Sequence, residues 1–337
     1  MGQARPNTTR IVSTALIVLA LSAGLAHASG GSEPRGSQPG VHPQGRKPVF
    51  VMVPKGVHPY FEPVYKGFTD AAARYDVVSE IEAPPRFDVG LQVKVIEDLI
   101  ARGVSGIAIS ANDDQGLVAV IHEAVQAGIK VITFDAPAPS SEALTYIGTD
   151  NESAGFEAGK RMAAEMKGRG TIAILQGGLD ATNLNLRTRG FRRALAEGAP
   201  AISVVGVVDE GGDFAESVNQ SEALLDLHPA LSAIFSVSAE GAPAAAAVLR
   251  RQGKTARVLV AGFDDLPDTL QGIRDGVVSF CVVQNTYKMG WLSVRRLLDA
   301  VAGRALPRII DTGVVFVDRG NLDTYKAEME ADNRREL

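Results

Sequence analysis

The sequence has little of what catalytic and cross-linked proteins rely on. One cysteine among 337 residues leaves Cys281 no internal disulfide partner, and its apolar neighbours Phe280, Val282 and Val283 predict a small buried hydrophobe. The five histidines are isolated: none of His42, His58, His122 and His228 has a second histidine four residues away, so no paired imidazoles exist to hold a metal. No G-x-S-x-G turn occurs to present a serine nucleophile. No G-x-G-x-x-G follows the first apolar run either. The turn there is Pro54-Lys55-Gly56-Val57-His58-Pro59, with one glycine and two prolines, which gives a pyrophosphate no cradle. Gly155 to Arg161 comes nearest to a P-loop, but its glycines are wrongly spaced and no Ser or Thr follows Lys160. An excess of positive charge is also missing: the formal net charge is -5 and the basic residues are scattered, which excludes a nucleic-acid partner. These absences predict a protein without metal or cofactor that is not an enzyme, a catalytic site assembled across two lobes being the enzymatic alternative.

Only one long apolar run exists. Ile11 to Leu25 follows Arg5 and Arg10 and precedes Ala26-His27-Ala28, the charge, hydrophobe and small-residue order of an export signal. At about 15 residues it falls short of the roughly 20 a spanning helix needs. The expectation is cleavage after Ala28 and a periplasmic mature chain, with residues 1–28 a signal peptide and 29–46 a flexible linker rich in Gly, Pro and Ser.

From Pro48 onward short β-branched runs alternate with segments of helical period. Strands are expected at 49–53, 77–82, 106–110, 131–134, 171–175, 203–208, 233–236 and 258–263, and helices at 64–75, 89–101, 117–127, 153–166, 187–196, 214–227, 241–251 and 289–301. In 89–101, Val89, Val93, Ile96, Leu99 and Ile100 share a stripe opposite Lys94, Glu97 and Asp98. A four-strand series ends at Phe134, the short apolar passage Tyr146-Ile147-Gly148 follows, and a second series starts at Thr171. The fold class is therefore α/β, with two doubly wound parallel-sheet lobes of Rossmann type and a ligand cleft between facing sheet edges.

Aromatic and hydrogen-bonding side chains of both signs collect at the strand ends. Lys55, His58, Tyr60 and Phe61 follow the first strand and Asp135 the fourth; Asn183, Asn185 and Arg187 belong to the second series. Ser238 with Glu240, Asp264 with Asp265, and Gln284 with Asn285 come later. A sugar or polyol, with apolar C–H faces and a belt of hydroxyls, needs such flat rings and charge-assisted bonds. Competing structural roles are core packing for Tyr60 and Phe61, a turn for Asp135, and helix capping for Asp264 and for Asp150-Asn151. Arg187, placed at a helix opening where a cation opposes the dipole, calls for a polar partner.

The chain resembles the periplasmic sugar-binding proteins of ABC importers, of ribose- and galactose-binding type. The resemblance rests on His58-Pro59-Tyr60-Phe61, Val131-Ile132-Thr133-Phe134-Asp135, Ile147-Gly148-Thr149-Asp150-Asn151, Arg187-Thr188-Arg189-Gly190-Phe191, Gly262-Phe263-Asp264 and Gln284, in order from about Lys47 to Val317. It implies that Tyr60 and Phe61 sandwich a sugar ring while Asp135, Arg187, Asp264 and Gln284 bond its hydroxyls. It further implies a three-segment hinge near Gly148, Gln284 and Thr312, so that residues 47–149 plus 285–312 form one lobe and 150–284 plus 313–337 the other. The implied partners are a monosaccharide or polyol and a membrane permease, or, in the alternative, a chemoreceptor or sensor-kinase ectodomain responding to a sugar or furanosyl signal. Pro54 and Ala136 depart from the ribose pattern, which has a polar residue and an arginine at those positions.

Overall fold

The computed structural model describes residues 46–337; the signal, its cleavage after Ala28 and nearly all of the linker lie outside the described residues. In chain order the elements are β1 (Val49–Val53), α1 (Glu62–Tyr75), β2 (Val78–Ile81), α2 (Val89–Arg102), β3 (Gly106–Ile109), α3 (Val118–Gln126), β4 (Lys130–Phe134), β5 (Tyr146–Gly148), α4 (Asn151–Glu165), β6 (Arg169–Gln176), α5 (Thr182–Gly198) and β7 (Ala201–Asp209). They continue as α6 (Phe214–Leu227), β8 (Ala233–Ser236), α7 (Gly241–Gln252), β9 (Leu259–Phe263), α8 (Pro267–Asp275), β10 (Phe280–Gln284), α9 (Thr286–Val301), β11 (Ile309–Asp311), β12 (Val314–Asp318) and α10 (Tyr325–Glu336).

Two six-stranded sheets result, ordered β11-β5-β4-β3-β1-β2 and β12-β10-β9-β8-β6-β7. The first is parallel throughout. The second carries one antiparallel edge strand, β12 against β10, a departure from the all-parallel expectation. The chain passes between sheets after β5, after β10 and between β11 and β12.

Continuous apolar strands exist because helices cover both faces of each sheet. Along β1, Phe50 and Met52 point to one core and Val51 and Val53 to the other, as the two-residue period of a strand requires. In β10, Phe280 and Val282 likewise oppose Cys281 and Val283. Cys281 is fully buried and burial pushes its thiol pKa up, which keeps it an inert core residue.

Each lobe contains one very close helix pair, and both depend on glycine. A Cβ at Gly290 of α9 would collide with the Val64 carbonyl of α1, and one at Gly67 with the Tyr287 carbonyl. In the second lobe Gly155 of α4 meets the Arg187 carbonyl of α5, and Gly190 the Glu152 carbonyl. In all four cases the obstacle is backbone, which cannot swing aside.

The helix placed at 187–196 begins five residues earlier, at Thr182, and runs to Gly198. Arg187 therefore lies in the second helical turn, and the opposition to the helix dipole expected at a helix opening does not apply to it. Elements absent from the sequence reading are β10, β11, β12 and α10, and β5 is expected there only as a short apolar passage; α10 is mostly polar, with Tyr325 and Met329 its only large apolar side chains, too few to mark it.

Replacing Gly290 by Ala is expected to cost about 1 to 3 kcal/mol of unfolding free energy, the range for overpacking a tight contact. Urea denaturation measures it, and a midpoint equal to that of the parent contradicts the close-approach account.

Candidate ligand-binding site

Side chains from both lobes wall a small cavity of about 60 Å³ at the facing sheet edges. From the first lobe come Lys55, His58, Tyr60, Phe61, Phe87 and Asp135; from the second, Asn183, Arg187, Ser238, Glu240, Asp264 and Gln284. The loop after each strand carries them, because parallel strands deliver all their carboxyl ends to one edge.

Two aspartates hold matching positions. Asp135 follows β4 with φ 55° and Asp264 follows β9 with φ 67°. Both are in the left-handed region that Asp tolerates better than most residues. Asp135 accepts bonds from Tyr60 Oη at 2.8 Å and Ser110 Oγ at 2.5 Å. Asp264 accepts one from Gln284 Nε2 at 3.0 Å, and Gln284 Oε1 in turn accepts from Thr149 Oγ1 at 2.9 Å. Burial pushes the Asp264 carboxyl up to about 7, with Arg187 and Gln284 opposing the shift.

Arg187 is 1% exposed. Its Nε donates to Asn151 Oδ1 at 2.8 Å, its Nη1 to the Val237 carbonyl at 2.9 Å, and its guanidinium carbon lies 4.1 Å from the centre of the Phe263 ring. Nη2 is buried with no hydrogen-bond partner. A buried unpaired N–H of a cation is costly, so this edge is where a hydroxyl or other acceptor gains most.

The lobes touch across the cavity. Lys55 Nζ donates to Asn183 Oδ1 at 3.0 Å, and burial brings the ammonium pKa down to about 8. His58 Nδ1 accepts the Tyr60 backbone N–H, which leaves Nε2 to donate to Glu240 Oε1 at 2.6 Å. At about 60 Å³ the space is smaller than ligand pockets, which start at about 300 Å³.

A family model described as a periplasmic binding protein domain matches residues 49–305, most of the chain. The chain belongs to the periplasmic binding protein family. It is 38% identical to an ABC-transporter solute-binding protein from Burkholderia graminis solved in complex with D-arabinose, the match covering 84% of this chain and 99% of that one at a TM-score of 0.81. The D-ribose/D-allose-binding protein of Pseudomonas aeruginosa is 26% identical over 250 residues, 72% of this chain and 77% of that protein. A chain of the XylFII-LytSN complex is 28% identical with a TM-score of 0.77, covering 81% of this chain and 98% of that one.

Ten of the eleven residues named from sequence line the cavity of this periplasmic binding protein. Asn185 does not: it is exposed on α5, accepts from Gln176 Nε2 at 2.8 Å and donates to the Leu179 carbonyl at 2.7 Å, which pins the loop before the helix. The sandwich of Tyr60 and Phe61 is also at odds with the geometry. Their rings meet edge to face at 75° with centres 5.0 Å apart, leaving no slot between them. Phe61 is 1% exposed and packs against Phe134, whereas Phe87, unmarked in the sequence, reaches the cavity and Gly212 of the other lobe. Asp264 caps no helix, since α8 starts after Leu266 without a side-chain cap; Asp150 does cap α4, accepting the Ser153 N–H at 3.1 Å.

Below Ser238 lies Glu210, fully buried, which accepts bonds from the Ser238 and Ser217 hydroxyls. Burial raises its carboxyl to about 7. Asp264 and Glu210 therefore hold their protons more tightly in the native state than in the unfolded chain. Their contribution to stability is fully present below the ordinary carboxyl range and is lost as pH rises through about 7. In urea melts of the ligand-free protein at pH 5 and pH 7.5, Asp264→Asn should reduce the pH dependence. An identical dependence in parent and variant contradicts the assignment.

Proposed function

We propose that the chain is a periplasmic solute-binding protein that captures a monosaccharide or polyol between its lobes and delivers it to the membrane permease of an ABC transporter. The observation that carries this reading is the buried Arg187 with its unpartnered Nη2, set among Asp135, Asp264 and Gln284 in a cavity walled by both lobes. A donor edge beside two carboxylates, with Tyr60 and Phe87 as apolar surface, matches alternating hydroxyls and C–H faces. The relative of 38% identity that holds D-arabinose makes pentoses the first ligands to test. Pro54 and Ala136, both buried and apolar, take two polar partners out of the ribose pattern, while Lys55 adds a donor from another direction.

In this reading residues 47–149 plus 285–312 form one lobe and 150–284 plus 313–337 the other, hinged at the three passages between the sheets. Ligand contacts on both lobes are what bind closure to occupancy, since only differential affinity for the closed form shifts its population. Lys55, His58, Tyr60, Phe61, Phe87 and Asp135 act from one side and Asn183, Arg187, Ser238, Asp264 and Gln284 from the other. The ligand leaves chemically unchanged; the chain is a carrier and not an enzyme. Export to the periplasm with cleavage after Ala28 fits this role, as does the absence among the described residues of any helix long and apolar enough to cross a membrane. A second reading, in which the closed form is read by a sensor ectodomain, draws on the relative solved in the XylFII-LytSN complex.

The test is a thermal-shift screen of the mature chain against pentoses, hexoses and polyols after denaturation and refolding, because a ligand that binds only the native state raises the melting temperature. A selective rise is expected, and no rise with any of them refutes the sugar reading. For the ligand so identified, Arg187→Ala should weaken binding by about 2 to 5 kcal/mol, the cost of removing one partner of a buried charged hydrogen bond.

A further inference from the structure

Glu210 is fully buried directly after β7 and does not line the ligand cavity, yet it meets a residue that does. The fold makes room for its carboxyl: a Cβ at Gly241, the first residue of α7, would meet Glu210 Oε2 at 2.8 Å and would also strike Ser236 Oγ. A carboxyl taken out of water needs hydrogen-bond partners, and two serines supply them. Ser217 Oγ of α6 lies 2.5 Å from Oε2, and Ser238 Oγ donates to Oε1.

The bond to Ser238 has a consequence at the cavity wall. A serine hydroxyl carries one proton and two lone pairs, and without a fixed acceptor it rotates to suit whatever faces it. Ser238 gives its proton inward, to Glu210. The other oxygen beside it, Ser236 Oγ at 3.0 Å, is engaged elsewhere, accepting the Ser238 N–H at 3.2 Å and donating to the Ser238 carbonyl at 2.9 Å. Ser238 therefore presents a lone pair to the cavity that it lines. Arg187, held by the carbonyl of the preceding residue Val237, presents the opposite, an N–H with no acceptor. A hydroxyl answers both demands because it donates and accepts, whereas a carboxylate or phosphate oxygen only accepts.

We propose that Glu210 is a positioning residue: it locks Ser238 Oγ as an acceptor, so that this wall of the cleft selects a ligand hydroxyl over an oxygen that cannot donate. The effect on ligand choice rests on the sugar reading; the direction of the Ser238 hydroxyl does not.

Neutron diffraction from deuterium-exchanged crystals of the ligand-free protein locates that hydroxyl directly. The deuteron is expected on Ser238 Oγ, pointing at Glu210 Oε1. A deuteron aimed into the cavity, or one carried by Oε1 itself, overturns the proposal whatever the sugar screen gives, and no variant has to fold for this reading. For the sugar found by the screen, calorimetry on variants tests the effect on binding. Glu210→Leu should weaken binding about tenfold, the size of one misdirected hydrogen bond. Glu210→Gln should stay within about threefold of the parent, because its Oε1 accepts from Ser238 while its Nε2 donates to Ser217, whose own proton has the Asp213 carbonyl at 2.7 Å. In a Ser238→Ala background Glu210→Leu should cost nothing further, since contacts that act through one group are not additive. At least one monodeoxyfluoro analogue of the sugar should bind about tenfold more weakly than the sugar itself in the parent and not in Ser238→Ala, fluorine being unable to donate. Losses that add in the double variant, a Glu210→Gln as damaging as Glu210→Leu, or analogue penalties that Ser238→Ala leaves unchanged overturn the proposal, with urea denaturation verifying that each variant folds. A screen without a hit refutes the sugar reading alone, and the neutron result then decides the orientation by itself.

Discussion

The Arg187 guanidinium is buried with no carboxylate bonded to it, and the architecture around the cleft is arranged to keep it there. Asn151, the Val237 carbonyl and the face of Phe263 hold three of its sides. An isolated buried cation is expensive. Here Asp264 supplies opposing charge without making a direct pair that would consume its last N–H. The glycine contact between α4 and α5 serves the same end: Gly155 lets the Arg187 backbone approach α4, whose first residue is Asn151. A methyl group there would move the guanidinium away from the amide that orients it.

The two lobes repeat one solution with different side chains. Each ends a central strand on an aspartate in the left-handed conformation, and each packs a helix pair through facing glycines. The first lobe then adds Tyr60, Phe87 and Lys55, and the second adds Arg187. Neither half alone offers both a ring face and a full set of hydrogen-bonding groups. The cavity joins them, with groups of both lobes on its walls.

Much of this was legible because strand ends in a parallel sheet converge. A residue type suited to a sugar, found directly after an apolar β-branched run, is already near the site, which is why Asp135, Asp264 and Lys55 stand out in the sequence. Asn185 misleads for the same reason: it shares a loop-to-helix segment with Asn183 and Arg187, but the helical period turns it to solvent. Phe87 was invisible because it lies in the loop following an edge strand, among Pro84, Pro85 and Arg86, without a pattern to mark it. The early start of α5 was missed because Thr182 to Leu186 carries two asparagines and no helical cap; Ala181 in the cap position makes no side-chain bond. Packing against α4 through Gly190 holds the helix there despite weak local propensity.

The most direct measurement is a crystal structure of the protein with its sugar bound. The ring is expected between the lobes, with Arg187 Nη2 donating to a ligand oxygen and both Asp135 and Asp264 within hydrogen-bond distance of its hydroxyls. A sugar bound elsewhere, or one in the cleft that leaves Arg187 Nη2 without a ligand contact, would contradict it.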